Sequence, residues 1–261
     1  MYEKHTIDNV LNLIQEVLEF EIKELYPISC KKDSHRKNLI VLHHDHNSSS
    51  FVTIKQLLLR PCVTDIYTIS RRMYESVITM GLLAKSLIED DIERYIDFRF
   101  IEASKFYNHL KQLGLEKLSG IKDVSSLNKY KKDYCKKFGS PGQTWTGLTV
   151  VDNAQLVDKH YPITCNETRF YEYLYCQIYR NSSQITHSSF GGIYDTVERE
   201  EFCNLSNEII VRYKDKESHL INTGFYSIII FLSSVRFMGY ILDTSITEEY
   251  FQEKCNWINS K

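Results

Sequence analysis

The segment "GFYSIIIFLSSVRFMGYIL", from Gly224 to Leu242, decides the fold class of this 261-residue chain. Its nineteen residues approach the length that spans a bilayer. A charged residue, Arg236, and three serines interrupt it, however, and no positively charged flank sets an orientation. We therefore favour the central helix of a bundle, apolar nearly all round because neighbouring helices surround it, over a membrane helix. Arg236 then needs a partner or a path to solvent.

Helical spacing of apolar residues recurs outside this segment. It runs through Leu11–Leu25, Ile66–Leu87, Ile96–Leu110 and Phe170–Ile185. Pro27 is expected to end the first helix and Gly114 to close the third. Only four prolines and ten glycines are present, which favours long helices. The sequence thus predicts an all-α chain, a single helical domain over residues 1–261, with an irregular insertion at about 117–166 that holds at most short helices and is anchored by Trp145.

The overall charge gives no general attraction to nucleic acid, because the net charge is −2 and the pI is about 6.5. One basic concentration stands out in "NKYKKDYCKKFGSPG", where lysines alternate with aromatic residues. These lysines are Lys129, Lys131, Lys132, Lys136 and Lys137. They form either a solvated loop, the more common case, or a patch that binds successive phosphates.

Seven cysteines without a CxxC pair, and no signal peptide, indicate reduced thiols and a cytoplasmic protein.

The stretch "YRNSSQITHSSFGG", from Tyr179 to Gly192, carries the candidate chemistry. At about 100° per residue, Arg180, Ser183 and His187 share one helix face, opposite the apolar residues, and Tyr179 borders it. A face of this kind commonly points to water. It also combines a histidine that exchanges protons near neutral pH, a fixed positive charge for a phosphate, and a hydroxyl. Both interpretations stay open from spacing alone.

These residues resemble the Arg-x(4–6)-His motif of the HEPN superfamily, in which a polar residue such as Asn181 follows the arginine. More closely, the chain resembles a bacterial domain family of unknown function with the pattern Tyr-Arg-x-x-Ser-x-x-x-His. That family carries an upstream arginine–glutamate helix, matched here in "RRMYESVITMGLLAKS" by Arg71 or Arg72 with Glu75, and a tryptophan before the motif, matched by Trp145. The resemblance covers about residues 60 to 192.

The resemblance implies a HEPN-like helical bundle that acts, commonly as a homodimer, as a metal-independent ribonuclease without a cofactor. His187 would then transfer a proton of the 2′-hydroxyl or the leaving group, and Arg180 would stabilise the phosphate. RNA would be the substrate, with a cognate partner or antidote protein and a toxin or anti-phage role as further expectations. The alternative is a catalytically inactive module that binds a nucleotide or a partner protein.

Two further groups of residues complete the candidates. Arg72 and Glu75 are one helical turn apart, so they form either a local ion pair or a support that reaches the Arg180 and His187 face across the bundle. "HHDH", from His43 to His46, resembles a metal tract by composition. Adjacent residues cannot all aim at one ion, and no helical i, i+4 pair of histidines occurs there, so we expect a polar loop without metal.

Overall fold

The computed structural model describes residues 6–29, 34–60, 63–163, 169–186, 198–199, 211–212 and 216–259. These residues are almost entirely helical, which confirms the all-α class. The β structure among them is one antiparallel pairing of two residues each, β1 (Glu198–Arg199) with β2 (Val211–Arg212). By internal contacts the chain divides into two compact units, residues 1–84 with 154–261 and residues 85–153. The single domain expected from the sequence stays a prediction.

The first unit is built from long helices and a few short ones. They are α1 (Ile7–Phe20), α2 (Tyr26–Ser29), α3 (His35–Leu58), α4 (Val63–Ala84), α8 (Phe170–Leu174), α9 (Asn181–Thr186), α10 (Lys216–Leu242) and α11 (Ile246–Asn259). α7 (Val150–His160) begins before the boundary between the units. Two π-helical turns, Glu21–Leu25 and Tyr175–Arg180, join α1 to α2 and α8 to α9.

The first helix does not end at Pro27 as expected. A proline ring inside a continuous α-helix clashes with the carbonyl of residue i−4. The wider π turn Glu21–Leu25 directly precedes α2, and the chain stays helical through Pro27 to Ser29. At the other end, Thr6 caps α1, because its hydroxyl accepts from the amide of Asn9 while the Asn9 side chain accepts from the amide of Thr6.

The centre of the first unit is α10, as the apolar segment predicts. Helices α1, α3, α4 and α11 all pack on it, and its phenylalanines Phe225, Phe231 and Phe237 are fully buried. One described helix, Glu217–Leu242, is long and apolar enough to cross a membrane, and most of it is buried inside the protein. A core helix passes that test of length and composition as well as a membrane helix does.

Arg236 finds the partner that its position inside α10 requires. Its Nε donates to Glu248 Oε2 at 2.5 Å, and its terminal nitrogens donate to the carbonyls of Tyr161 and Pro162 at 3.4 Å. The guanidinium also lies 4.9 Å from the centre of the Phe251 ring. These contacts satisfy a charge that is only 7% exposed.

The second unit contains α5 (Asp91–Gln112), a 3-10 turn (Glu116–Ser119) and α6 (Val124–Phe138). Gly114 follows α5 with φ +70°, and the amide of Leu115 donates back to the carbonyl of Leu110, so α5 ends as predicted. Trp145 is buried as expected. Its carbonyl accepts from Arg94 Nε at 2.8 Å and from Tyr134 Oη at 3.2 Å.

Residues 117–166, where the apolar spacing is weak, contain more helix than expected. α6 has 15 residues and α7 has 11, so the lysine-rich stretch is a helix and not a loop. The buried residues of α6 are only Leu127 and Tyr134, spaced by seven. So few apolar positions do not reveal a helical period in the sequence.

Candidate functional site

The motif segment, by which we mean the described residues from Phe170 to Thr186, is helical, and its winding changes at Tyr175–Arg180. Asp158 of α7 begins it, since its carboxylate accepts from the amides of Tyr171 and Glu172 at 2.8 and 3.0 Å. Burial raises the pKa of the Asp158 carboxyl. Tyr74 of α4 holds the same turn by donating its hydroxyl proton to the carbonyl of Tyr171 at 2.9 Å. The motif segment is therefore fixed to α4 and α7 before it reaches Arg180.

The π turn Tyr175–Arg180 places one extra residue in the helix just before the motif. The helix faces predicted at a constant 100° per residue therefore do not hold for residues on the two sides of this turn. Arg180 is exposed, and Ser183 is half-buried. Asn181 turns back on its own helix, where its Nδ2 donates to the carbonyl of Gln177 at 2.9 Å. Ser182 is fully buried, and its hydroxyl has no hydrogen-bond partner among the described residues.

His187, the expected proton-transfer residue, lies outside the described residues, as does the glycine pair at 191 and 192. Of the predicted catalytic pair, Arg180 lies within the described residues. Its exposed side chain at the end of the π turn meets the first requirement of a phosphate-binding group, which is access from solvent.

Tyr179 is held by α4 through an arginine and a glutamate. Arg71 Nη2 donates to Tyr179 Oη at 3.2 Å, and the guanidinium lies 4.3 Å from the centre of the tyrosine ring. Arg71 Nε in turn donates to Glu75 Oε1 at 3.2 Å. Tyr175 stacks on the same tyrosine with ring centres 5.1 Å apart. Arg71 and Tyr175 therefore both pack on Tyr179, the residue directly before Arg180 in the chain.

Arg72 and Glu75 do not form the local ion pair that was the first of the two alternatives. Glu75 pairs with Arg71, four residues before it, whereas Arg72 Nη2 lies 3.2 Å from Nε2 of His46 on α3. A guanidinium can only donate, so in this contact His46 Nε2 is the acceptor. Glu75 is tied to Tyr179 through Arg71. The second alternative, a support by Arg72 or Glu75 that reaches the Arg180 and His187 face, stays a prediction.

These contacts form a polar strip on the exposed face of α4, which we call the α4 strip. It consists of His46, Arg71, Arg72, Glu75 and Tyr179, followed by Arg180. Arg72, Glu75 and His46 are exposed to solvent, and Arg71 and Tyr179 are partly buried. Arg71 and Arg72 stand against the one carboxylate of Glu75 in the strip, and the exposed Arg180 follows Tyr179 in the chain, whereas the whole chain is slightly acidic.

The "HHDH" tract is not a loop, because His43–His46 lie inside the 24-residue helix α3. His43 Nδ1 lies 2.8 Å from Ser76 Oγ on α4. Burial, with a smaller contribution from His46, lowers the pKa of His43 to about 4. Among the described residues no group of three or more histidine, cysteine or acidic side chains could hold a metal ion.

His44 belongs to a buried polar cluster on the opposite side of α3. Its Nδ1 lies 2.9 Å from Ser234 Oγ, and its Nε2 lies 3.2 Å from Glu21 Oε1 of the first π turn. Asn47 donates to the same serine at 3.1 Å. The order serine, histidine, carboxylate is that of a nucleophile with its base, but Ser234 is fully buried and a substrate cannot reach it. The cluster therefore joins the first π turn, α3 and α10 from inside.

A comparison with protein families matches residues 37–205, well over half of the chain, to a family of unknown function, DUF5677. The chain belongs to this family. The assignment fits the resemblance to a domain family of unknown function drawn from the motif. No curated protein and no solved structure matches the chain.

The matched span of this DUF5677 protein contains the whole α4 strip, from His46 to Arg180, together with His187. It leaves out Glu21 and Ser234, and so two of the residues of the buried cluster. The sequence motif did not distinguish Arg71 from Arg72 as the partner of Glu75, and it gave His46 no role. The apolar period of α4 places positions 71, 72 and 75 on its exposed face, and this signal could have grouped the three of them.

Proposed function

We propose that this protein is a metal-independent endoribonuclease of HEPN type, with Arg180 and His187 as the catalytic residues. The observation that carries the proposal is the attachment of Tyr179 to Arg71 and Glu75 of α4. That attachment fixes the backbone beside Arg180, and a catalytic charge has to be held in place to act on a transition state.

The proposed reaction is an attack of the RNA 2′-hydroxyl on the adjacent phosphorus. A bond forms between phosphorus and O2′, and the bond between phosphorus and O5′ breaks. The 2′-hydroxyl loses its proton and the departing 5′-oxygen gains one, with His187 transferring one of these protons. Arg180 stabilises the additional negative charge on the phosphate oxygens. The products are a 2′,3′-cyclic phosphate and a 5′-hydroxyl, so the RNA supplies its own nucleophile.

Several features of the α4 strip support a phosphate substrate. Arg71, Arg72 and Arg180 supply positive charge, and Tyr175 with Tyr179 supplies aromatic surface next to it. A second copy of the chain would close the open side of the strip, in keeping with a homodimer. A toxin or anti-phage role, restrained by a cognate partner or antidote, is the biological setting that we propose for such an activity.

The direct test is incubation of the purified protein with tRNA and total RNA in the presence of EDTA. We expect fragments that end in a 2′,3′-cyclic phosphate, and loss of cleavage in His187→Ala and in Arg180→Ala. Asn38→Ala, at an exposed position near the start of α3 that is not part of the strip, serves as a purification control. Intact RNA at every protein concentration, or cleavage that His187→Ala leaves unchanged, contradicts the proposal.

A second function is favoured by the composition of the same strip. Arg71 covers Tyr179 on its ring face and Arg180 is open to solvent, an arrangement suited to holding a nucleotide or a partner without chemistry. In that case Arg180→Ala abolishes binding of the nucleotide or partner, measured by calorimetry, while the RNA stays intact with either protein. Partner-independent RNA cleavage removes this alternative.

A further inference from the structure

The second unit carries a group of exposed apolar side chains where the chain turns from α5 towards α6. We call this group the apolar tip. It consists of Phe106, Leu113, Leu115 and Leu118, which are 44–71% exposed. Single apolar side chains on a surface are common, whereas a contiguous group of them marks an interaction site. Every residue from 111 to 118 is exposed, so the tip is a convex end of this unit and not the wall of a pocket.

The first part of the apolar tip is a stripe along the end of α5. Phe106, Leu110 and Leu113 follow at steps of four and three, which places them on one helix face. Helix α6 packs on other positions of α5, through Phe98 and Phe100. Those two positions lie about 80° and 120° around the helix from Phe106. The contact with α6 therefore leaves the stripe uncovered.

The turn after α5 brings two more leucines to this stripe. Gly114 has φ +70°, the amide of Leu115 donates to the carbonyl of Leu110 at 2.8 Å, and the amide of Leu118 donates to the carbonyl of Leu115 at 2.9 Å. In this Schellman arrangement the side chain after the glycine packs against the residue that supplies the carbonyl. Leu115 therefore lies next to Leu110, and the apolar positions of helix and turn form one group.

Lysines accompany the apolar tip with little opposite charge. Lys111, Lys117 and Lys122 are exposed, and none has a hydrogen bond or an ion pair within the described part of the chain. Glu116 is the one acidic residue between Lys111 and Lys122. Asp123, which comes next, already accepts from two serines at the start of α6. The surroundings of the tip are therefore positively charged, and they select an anionic partner.

Charge and shape decide between the possible occupants. A second copy on a two-fold axis would bring the lysines of one tip against the same lysines of the other, which is unfavourable. A protein partner commonly holds its anchor residues in pockets, whereas this tip is exposed throughout and offers no pocket. An anionic bilayer needs no pocket, because apolar side chains enter the soft boundary between headgroups and acyl chains while lysines meet lipid phosphates.

We propose that the apolar tip is a docking surface for an anionic lipid bilayer. Phe106, Leu113, Leu115 and Leu118 enter the boundary between headgroups and acyl chains, and the three lysines contact the lipid phosphates. This attachment is peripheral and does not involve α10, most of which is buried in the first unit. The inference is independent of the proposed RNA cleavage.

The test is co-flotation of the purified protein with lipid vesicles. One set consists of phosphatidylcholine, and the other of phosphatidylcholine and phosphatidylglycerol at about three to one. We expect binding to the anionic vesicles only, weakened by salt. Leu113→Ser with Leu118→Ser is expected to weaken binding roughly tenfold or more. Replacing Lys111, Lys117 and Lys122 together by glutamine is expected to weaken it about a hundredfold at low salt.

The matched control is Leu42→Ser with Leu59→Ser, which replaces two leucines of the first unit that are 64% and 60% exposed. This variant should bind the vesicles as the unmodified protein does. Insertion has a separate readout, tryptophan fluorescence with lipids brominated in their acyl chains. We expect these lipids to quench the new tryptophan in Leu118→Trp but not in Leu42→Trp, with the two native tryptophans as the common background.

The proposal is overturned by an absence of binding to the anionic vesicles, by equal losses in the two leucine double variants, or by an unquenched tryptophan at position 118. A dimer in the absence of lipid that Leu113→Ser with Leu118→Ser dissociates would assign the apolar tip to a second copy and would also overturn it. The RNA cleavage assay in solution should give the same rate for the tip variants and the unmodified protein, so this inference and the proposed function can fail separately.

Discussion

The guanidinium of Arg71 lies 4.3 Å from the centre of the Tyr179 ring, and the two residues are 108 positions apart in the chain. This contact joins the middle of α4 to the residue before Arg180. It makes the placement of the motif a property of tertiary packing and not of the motif helix alone. A change at Arg71 is therefore expected to reach the candidate site without touching Arg180.

Arg71→Ala is expected to lower the free energy of unfolding by about 1 kcal/mol, because it removes a cation–π contact and a hydrogen bond. It should also reduce RNA cleavage by about tenfold to a hundredfold, since Tyr179 loses its support. Denaturant unfolding and a cleavage assay measure the two effects. Arg72→Ala is the matched control, because it removes the same charge from the neighbouring position that contacts His46. Equal destabilisation of both variants would show that charge alone, and not the stacked contact, is responsible.

His43 predicts a dependence of stability on pH. Its folded pKa of about 4 lies below the value of 6.5 for a free histidine, so the unfolded chain binds more protons between these values. Stability contributed by the neutral ring is complete above about pH 6.5 and is lost as the pH falls towards 4, by up to about 3 kcal/mol. Thermal or urea unfolding across this window should show a shallower fall in His43→Gln. Parallel profiles for the two proteins would remove the assignment to His43.

The Arg236 and Glu248 pair predicts different losses of stability when one or the other member is replaced. Glu248→Ala removes the acceptor at 2.5 Å from the buried guanidinium, leaves it the weaker carbonyl contacts at 3.4 Å, and should cost about 2 kcal/mol. Arg236→Met replaces the charge by an apolar chain of similar length between Tyr161 and Phe251, and should cost far less. Urea unfolding compares the two variants. A larger destabilisation in Arg236→Met would mean that packing and hydrogen bonds of the guanidinium outweigh its desolvation.

Long helices could be predicted where apolar residues recur with a helical period. Helix α3 was missed because some of its buried residues are polar. Its buried positions continue at regular steps from Ile40 through His44 and Asn47 to Phe51 and Leu58. Two of them are polar, because they serve the buried cluster with Glu21 and Ser234. A search for apolar residues therefore shows no helix in "HHDHNSSS", although the spacing is helical throughout.

The residues of the candidate site could be predicted from the sequence, but the side-chain contacts between them could not. Arg180 and Tyr179 were indicated by the motif, and Glu75 by its place upstream. Glu75 pairs with Arg71 and not with Arg72, because the guanidinium of Arg72 contacts His46 of α3 instead. That contact depends on the packing of α3 against α4, which the sequence does not show. The π turn before Arg180 also has no signature in apolar spacing, since it adds a residue to the turn without changing the composition.

The position of α10 outside the family span has a practical consequence. Residues 37–205 include α4, yet Ser70 of α4 hydrogen-bonds to Ser227 of α10 at 2.7 Å, and a side chain added at Gly81 would meet Phe237 at 2.9 Å. The segment that defines membership is thus not a unit that can be excised, because cutting it out exposes the apolar face of α4. The same interface suggests a complementation experiment in which α10 with α11 forms one fragment and the preceding chain forms the other. Association of the two separately expressed fragments would rebuild the buried interface between α4 and α10.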